Sequence, residues 1–194
     1  MNQEIPGAIR VFLYLKRKNA VMDKLAERIW KDLINRMDGY SRLGDLSGGS
    51  TQYNTAIHEA GHGVIAYRYN IDIEYLKINK SNPENGETKL VKIERDAITE
   101  PRATSQIKVH SAGIISQHLY TDNVKREHCI KDAINIRCIL DFGLHTLEDL
   151  GPLFDKTKED LSKLEIREQI EILAKELNTK LYLSGKKVYS LLGA

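Results

Sequence analysis

The sequence predicts a mainly α-helical fold, a helical bundle around one central helix, with a small β-hairpin or sheet set into it. Three observations carry this. Apolar residues recur at helical spacing along most of the 194 residues. Two short β-favouring runs flank a turn rich in Pro and Gly. The apolar, helix-forming stretch TQYNTAIHEAGHGVIAYRYN, Thr51 to Asn70, holds the pentapeptide HEAGH, His58 to His62, around which the other helices are expected to pack.

Taken in order, residues from about Ala8 to Met37 read as helix, since Met22, Leu25, Ile29, Leu33 and Met37 fall on one face. YSRLGDLSGGS, Tyr40 to Ser50, reads as a linker. Residues 1–50 are therefore expected to form a helical extension and linker, and residues 51–194 the main domain. Ser50 or Thr51 can cap the HEAGH helix, which should end near Asn70. Glu74 to Ser81 and Glu87 to Glu94 read as strands, with NPENG as the turn of a hairpin. Such a strand either keeps its edge solvated or offers it to an extended peptide.

Glu100 to Thr121 reads as helix, with Pro101 in its first turn and Ile107, Ala112, Ile115 and Leu119 inward. A further helix is expected from about Val124 to Phe142, ending near Gly143. LEDLGPL, Leu147 to Leu153, reads as a turn. The last helix should run from about Lys158 to Leu192, with Gly185 as a point of interruption.

HEAGH carries the chemistry. Histidines at i and i+4 lie on one helical face about one turn apart, so both imidazoles can reach one zinc ion at about 2.0–2.1 Å. Glu59 follows the first histidine, and its carboxylate points beside the metal, where it can take a proton from water that the metal activates. Ala56, Ile57, Ala60, Val64 and Ala66 surround the motif, so it should be partly buried. A buried histidine pair is costly without a metal or partners. Glycine inside a helix costs about 1 kcal/mol relative to alanine. Gly61 and Gly63, bracketing His62, therefore imply another backbone packed closely there.

Composition narrows the classes. Net charge is +2 from 29 basic and 27 acidic residues, which argues against nucleic-acid or anionic-membrane binding. KRK, Lys16 to Lys18, reads as a solvated helix face. Cys129 and Cys138 form no CxxC pair and read as reduced core residues of a cytoplasmic protein. No apolar run approaches the roughly 18–20 residues of a membrane span. The N-terminal apolar stretch has its charges after it, whereas a secretory leader has them before.

Catalytic zinc usually takes three protein ligands. His110, His118, His128 and His145 remain, and none follows HEAGH at the HExxHxxGxxH spacing, since position 68 is Arg68. An acidic ligand from a later helix is expected instead.

TAIHEAGHGVIAY, Thr55 to Tyr67, resembles the zinc-peptidase helix of the FtsH family of ATP-dependent proteases. KVHSAGIISQHLY, Lys108 to Tyr120, is similar to the family's glycine-containing helix, and FGLHTLEDLGPL, Phe142 to Leu153, to the stretch after its ligand helix. The order of helix, strands and three helices agrees as well. The resemblance covers about Thr51 to Leu192 and implies a zincin-like FtsH peptidase domain whose third ligand is an aspartate early on the helix before Gly143. Asp132 and Glu127 both qualify. Periodicity favours Asp132, which shares a face with Ile136, Ile139 and Leu140, whereas Glu127 would bury Lys131 and Asn135. Ile114 stands for the family's arginine, and Gln117 and His118 for its acidic pair. No GxxxxGK[ST] phosphate loop occurs in these residues.

What the resemblance implies is a zinc-dependent metalloendopeptidase acting on unfolded or flexible proteins and peptides. His58, His62 and Asp132 (alternatively Glu127) would hold zinc, and Glu59 would be the general base. A separate ATPase or unfoldase partner and homo-oligomerisation are further implications. The alternative is a non-proteolytic FtsH-like binding or regulatory module that retains the zinc site. A third is a zinc hydrolase acting on another bond.

Overall fold

The structure, a computed structural model, describes residues 24–46, 48–91, 98–121, 124 and 126–193, with the side chains of residues 126–129 excepted. Helix α1 spans residues 24–37. It is followed by α2 (Thr51–Arg68), β1 (Ile73–Asn79), β2 (Asn82–Leu90), α3 (Glu100–Tyr120) and α4 (Arg126–Leu140). The chain then forms α5 (Leu147–Leu161), α6 (Leu164–Lys180), β3 (Tyr182–Ser184) and α7 (Gly185–Leu192). The fold is mainly helical with a small antiparallel sheet of order β2-β1-β3.

Helix α2 is the axis of the fold. Every residue from Asn54 to Ala66 is buried, so it is enclosed on all sides by α3, α6 and the sheet. A helix so enclosed needs its free ends satisfied locally. The Ser50 hydroxyl oxygen accepts from the Tyr53 N–H at one end. At the other, Asn70 takes a left-handed conformation (φ 52°) and the Ile71 N–H returns to the Ala66 carbonyl.

The expected helix over Glu100–Thr121 matches α3, whose Ile107, Ala112, Ile115 and Leu119 are all buried. Helix α4 closes as expected near Gly143, which has φ 71° and donates its N–H to the Leu140 carbonyl. Ala26, Ile29, Leu33 and Met37 of α1 join the same core. The linker is tied to α3, since the Leu43 and Leu46 N–H groups donate to the Leu119 and Tyr120 carbonyls. The expected helix over residues 8–23, the basic cluster Lys16 to Lys18 and the end of the second strand beyond Val91 lie outside the described residues.

Four local expectations are corrected. NPENG is not the hairpin turn. The chain turns at Lys80 and Ser81, because the Asn79 side-chain oxygen accepts from the Ser81 and Asn82 N–H groups. Ile78 pairs with Gly86 and Asn79 with Asn82, so Pro83, Glu84 and Asn85 form a bulge in β2, where proline is tolerated.

LEDLGPL is the start of α5, not a turn. The Asp149 carboxylate accepts from the Thr146 N–H and hydroxyl at the helix N-terminus, and buried Leu150 and Phe154 hold the turn containing Pro152 in place.

The long last helix is broken twice. The Tyr120 hydroxyl donates to the Leu161 carbonyl, which would otherwise accept the next helical bond. Leu181 then adopts φ 61°, and its carbonyl accepts from the Ile78 N–H as the chain joins the sheet as β3. A Cβ on Gly185 would lie 1.9 Å from the Ile73 carbonyl oxygen, so the chain can pass β1 there only as glycine.

Cys138 is exposed rather than in the core, because on α4 it projects away from the face that buries Ala133, Ile136 and Ile139. The Cys129 side chain lies outside the described residues.

Candidate metal centre

Helix α2 presents His58 and His62 to the side covered by α3 and α4, where Asp132 enters from the first half of α4. All three are buried. The two histidine Nε2 atoms are 3.0 Å apart, and Asp132 Oδ2 lies 3.1 Å from the first and 3.3 Å from the second. Among the described residues these form the one group that could hold a metal ion. Lys131 is exposed and Asn135 half-buried beside buried Ile136 and Ile139, as the periodicity around Asp132 predicts. The Glu127 and His128 side chains lie outside the described residues.

The far side of each imidazole sets its chemistry. His62 Nδ1 is 2.6 Å from the Val109 carbonyl oxygen, which can only accept, so Nδ1 carries the proton. His58 Nδ1 is 3.1 Å from Gln117 Oε1, while the Gln117 amide nitrogen donates to the Asn54 carbonyl at 3.4 Å, which orients the amide oxygen toward the ring. In their neutral forms both rings therefore turn an Nε2 lone pair toward Asp132 Oδ2, a buried oxygen with no hydrogen-bond donor. Three converging lone pairs repel one another unless a cation stands among them.

The titration of the cluster expresses the same demand. Burial opposes charge on His62, yet the adjacent Asp132 carboxylate, with Glu59 and the Val109 carbonyl, lifts its pKa to about 9. Burial works against the charged form of Asp132 too, but the positive charge of protonated His62, with hydrogen bonds donated by the rings, holds the carboxyl well below its ordinary range. A proton or a metal ion can supply the positive charge.

Glycines make the room. A Cβ on Gly113 of α3 would lie 2.4 Å from His62 Nε2 and 2.7 Å from His58 Nε2. A Cβ on Gly61 would lie 2.8 Å from the Ala112 carbonyl oxygen and 2.3 Å from Ser116 Oγ, so the backbone of α3 does pack closely there. Gly63 differs, since its neighbours are methyl groups of Leu76 and Leu173 at 3.0 and 3.4 Å.

The cluster lies in a cavity of about 380 Å³ that also exposes Glu59, Thr88, His110 and Asn135. Glu59 is buried, with Thr88 of β2 donating its hydroxyl to Oε2 at 2.7 Å. Desolvation, which outweighs the nearby Asp132 charge, pulls the pKa of His110 to about 4, so that ring is neutral near pH 7. His118 and His145 serve elsewhere, against the Tyr40 carbonyl and the Thr104 hydroxyl.

Sequence reasoning missed Val109, Gly113, Gly86 and Thr88. Val109 acts through its backbone carbonyl, which leaves no mark on residue type. Gln117 was visible only as a departure from the FtsH pattern.

Fold and site together define a mainly helical protein with a buried two-histidine, one-aspartate cluster able to hold a metal ion. The chain matches no protein-family model and no curated protein.

Proposed function

We propose that this chain is a zinc metalloendopeptidase with an FtsH-like peptidase domain, hydrolysing peptide bonds in unfolded or flexible proteins. One observation carries the proposal: His58, His62 and Asp132 converge at 3.0–3.3 Å, and Glu59, next to the first of them, opens onto the same cavity. Donors around a tetrahedral zinc at about 2.0–2.1 Å stand about 3.3–3.4 Å apart, so the triangle needs to open by only a few tenths of an ångström. Two imidazoles and one carboxylate are also a donor set that zinc takes in hydrolases.

Zinc held there supplies a Lewis acid that activates water and polarises a carbonyl. The protein does the rest. Gln117 and Val109 hold the rings in the tautomer that leaves Nε2 free. Glu59 takes the proton from the attacking water and passes it to the leaving amine. With no phosphate-loop motor in these residues, the substrate of this proposal is an unfolded or flexible chain. A separate unfoldase partner and self-association follow from the FtsH resemblance alone and belong to this proposal.

The test uses the zinc-loaded chain with an unfolded protein and a peptide library as substrates. Wild type should cleave, and Glu59→Gln should keep stoichiometric zinc while losing cleavage by at least about a hundredfold. A zinc-loaded wild type that leaves every substrate intact favours the alternative, a binding or regulatory module that retains the metal.

A further inference from the structure

We infer that Thr88 and Gly86 of β2 are positioning residues for Glu59, so that the hairpin aims the general base. The inference rests on the peptidase proposal for its catalytic consequence, and on geometry alone for the contact itself.

Strand alternation places these residues. Thr88 pairs with Leu76 and Gly86 with Ile78, and both partners are buried. Residues directly opposite share a face, so Gly86 and Thr88 face α2. Glu87, between them, faces outward and pairs with Lys77 at 2.7 Å.

On the inner face the Thr88 hydroxyl lies 2.7 Å from Glu59 Oε2 and 3.2 Å from the Glu59 carbonyl oxygen. A hydroxyl has one proton, and the shorter contact is to the carboxylate. The other carboxylate oxygen is walled by Gly86, where a Cβ would lie 2.3 Å from Glu59 Oε1 and 2.8 Å from Cδ. Gly86 is not among the glycines with positive φ, so its small size, not its backbone freedom, is what the position uses. The carboxylate is thus pinned at one oxygen by a hydrogen bond and at the other by a close backbone. A base pinned this way pays no rotamer search when substrate arrives. The bulge at Pro83–Asn85 brings Gly86 into register with Ile78, so the irregular NPENG segment has a place in this arrangement.

The experiment compares the full zinc-loaded chain with Thr88→Val, Thr88→Ser and Gly86→Ala. Thr88→Val keeps shape and removes the donor. It should lower kcat roughly 10- to 100-fold with KM within about twofold and zinc content unchanged, while Thr88→Ser stays within about threefold of wild type. Gly86→Ala should lower kcat in the same way, because the added methyl displaces the carboxylate. Full kcat in Thr88→Val, or equal losses in the valine and serine variants, overturns the inference.

A second readout does not need cleavage. Thr88→Val should lower the thermal midpoint of the wild type more than that of Glu59→Ala, where the carboxylate acceptor is gone and only the backbone carbonyl oxygen at 3.2 Å remains. Equal shifts in both backgrounds overturn the contact. An inactive wild type with unequal shifts removes the peptidase proposal and leaves the positioning intact.

Discussion

The Nε2 atoms of His58 and His62 stand 3.0 Å apart with their Nδ1 atoms already turned to Gln117 and Val109. Neither neutral ring can donate to the other, and Asp132 Oδ2 adds a third acceptor at 3.1 and 3.3 Å. The cluster is stable only around positive charge.

Removing a ligand should remove the metal. Asp132→Ala should weaken zinc at least about a hundredfold in competition with a chromophoric chelator, more than the loss of an outer-shell partner costs. Glu127→Ala should stay within about twofold of wild type. Loss of zinc in the Glu127 variant with retention in the Asp132 variant would reverse the assignment.

Protons should compete with zinc at His62. In the metal-free protein its pKa is raised from 6.5 to about 9. The folded value exceeds the unfolded one, so the stabilisation is complete below pH 6.5 and lost as pH rises through about 9. Metal must displace that proton, so apparent zinc affinity should rise about tenfold per pH unit from neutrality and level off near pH 9. Calorimetry should show the metal-free midpoint falling over that window and the zinc-loaded midpoint holding. A zinc affinity that is flat between pH 7 and 9 would contradict the raised value.

Gln117 should tune the site without touching the metal. Its amide oxygen orients His58 from 3.1 Å away. Gln117→Leu should therefore weaken zinc about 10- to 100-fold while leaving stoichiometry at saturation unchanged. The same chelator competition measures it, and wild-type affinity in the variant would show that the ring holds itself.

The two glycines flanking His62 should behave differently. Gly61→Ala forces a methyl to within 2.8 Å of the Ala112 carbonyl oxygen and should cost about 1–3 kcal/mol in denaturant unfolding. Gly63→Ala meets only flexible leucine methyls at 3.0 Å and beyond, so the clash is largely offset by the gain in helix propensity of about 1 kcal/mol. Equal destabilisation of both variants would count against the close approach of α3 at Gly61.

The sequence by itself determined whatever depends on one helix. The i, i+4 spacing of His58 and His62, the inward face of Ile107, Ala112, Ile115 and Leu119, and the apolar face that Asp132 shares with Ile136 and Ile139 all repeat with the helical period. That period is written in residue order. Tertiary structure alone decided the rest. Val109, Gln117, Gly113, Gly86 and Thr88 reach the site from other elements, 27 to 59 residues along the chain from the His58, Glu59 or His62 that they touch, through a backbone carbonyl, a flexible amide, two missing side chains and one hydroxyl. The break after Leu161 depends on a tyrosine from α3, and β3 exists because β1 offers an edge. Such contacts have no period along the chain, so they become legible only when the elements that make them are packed together.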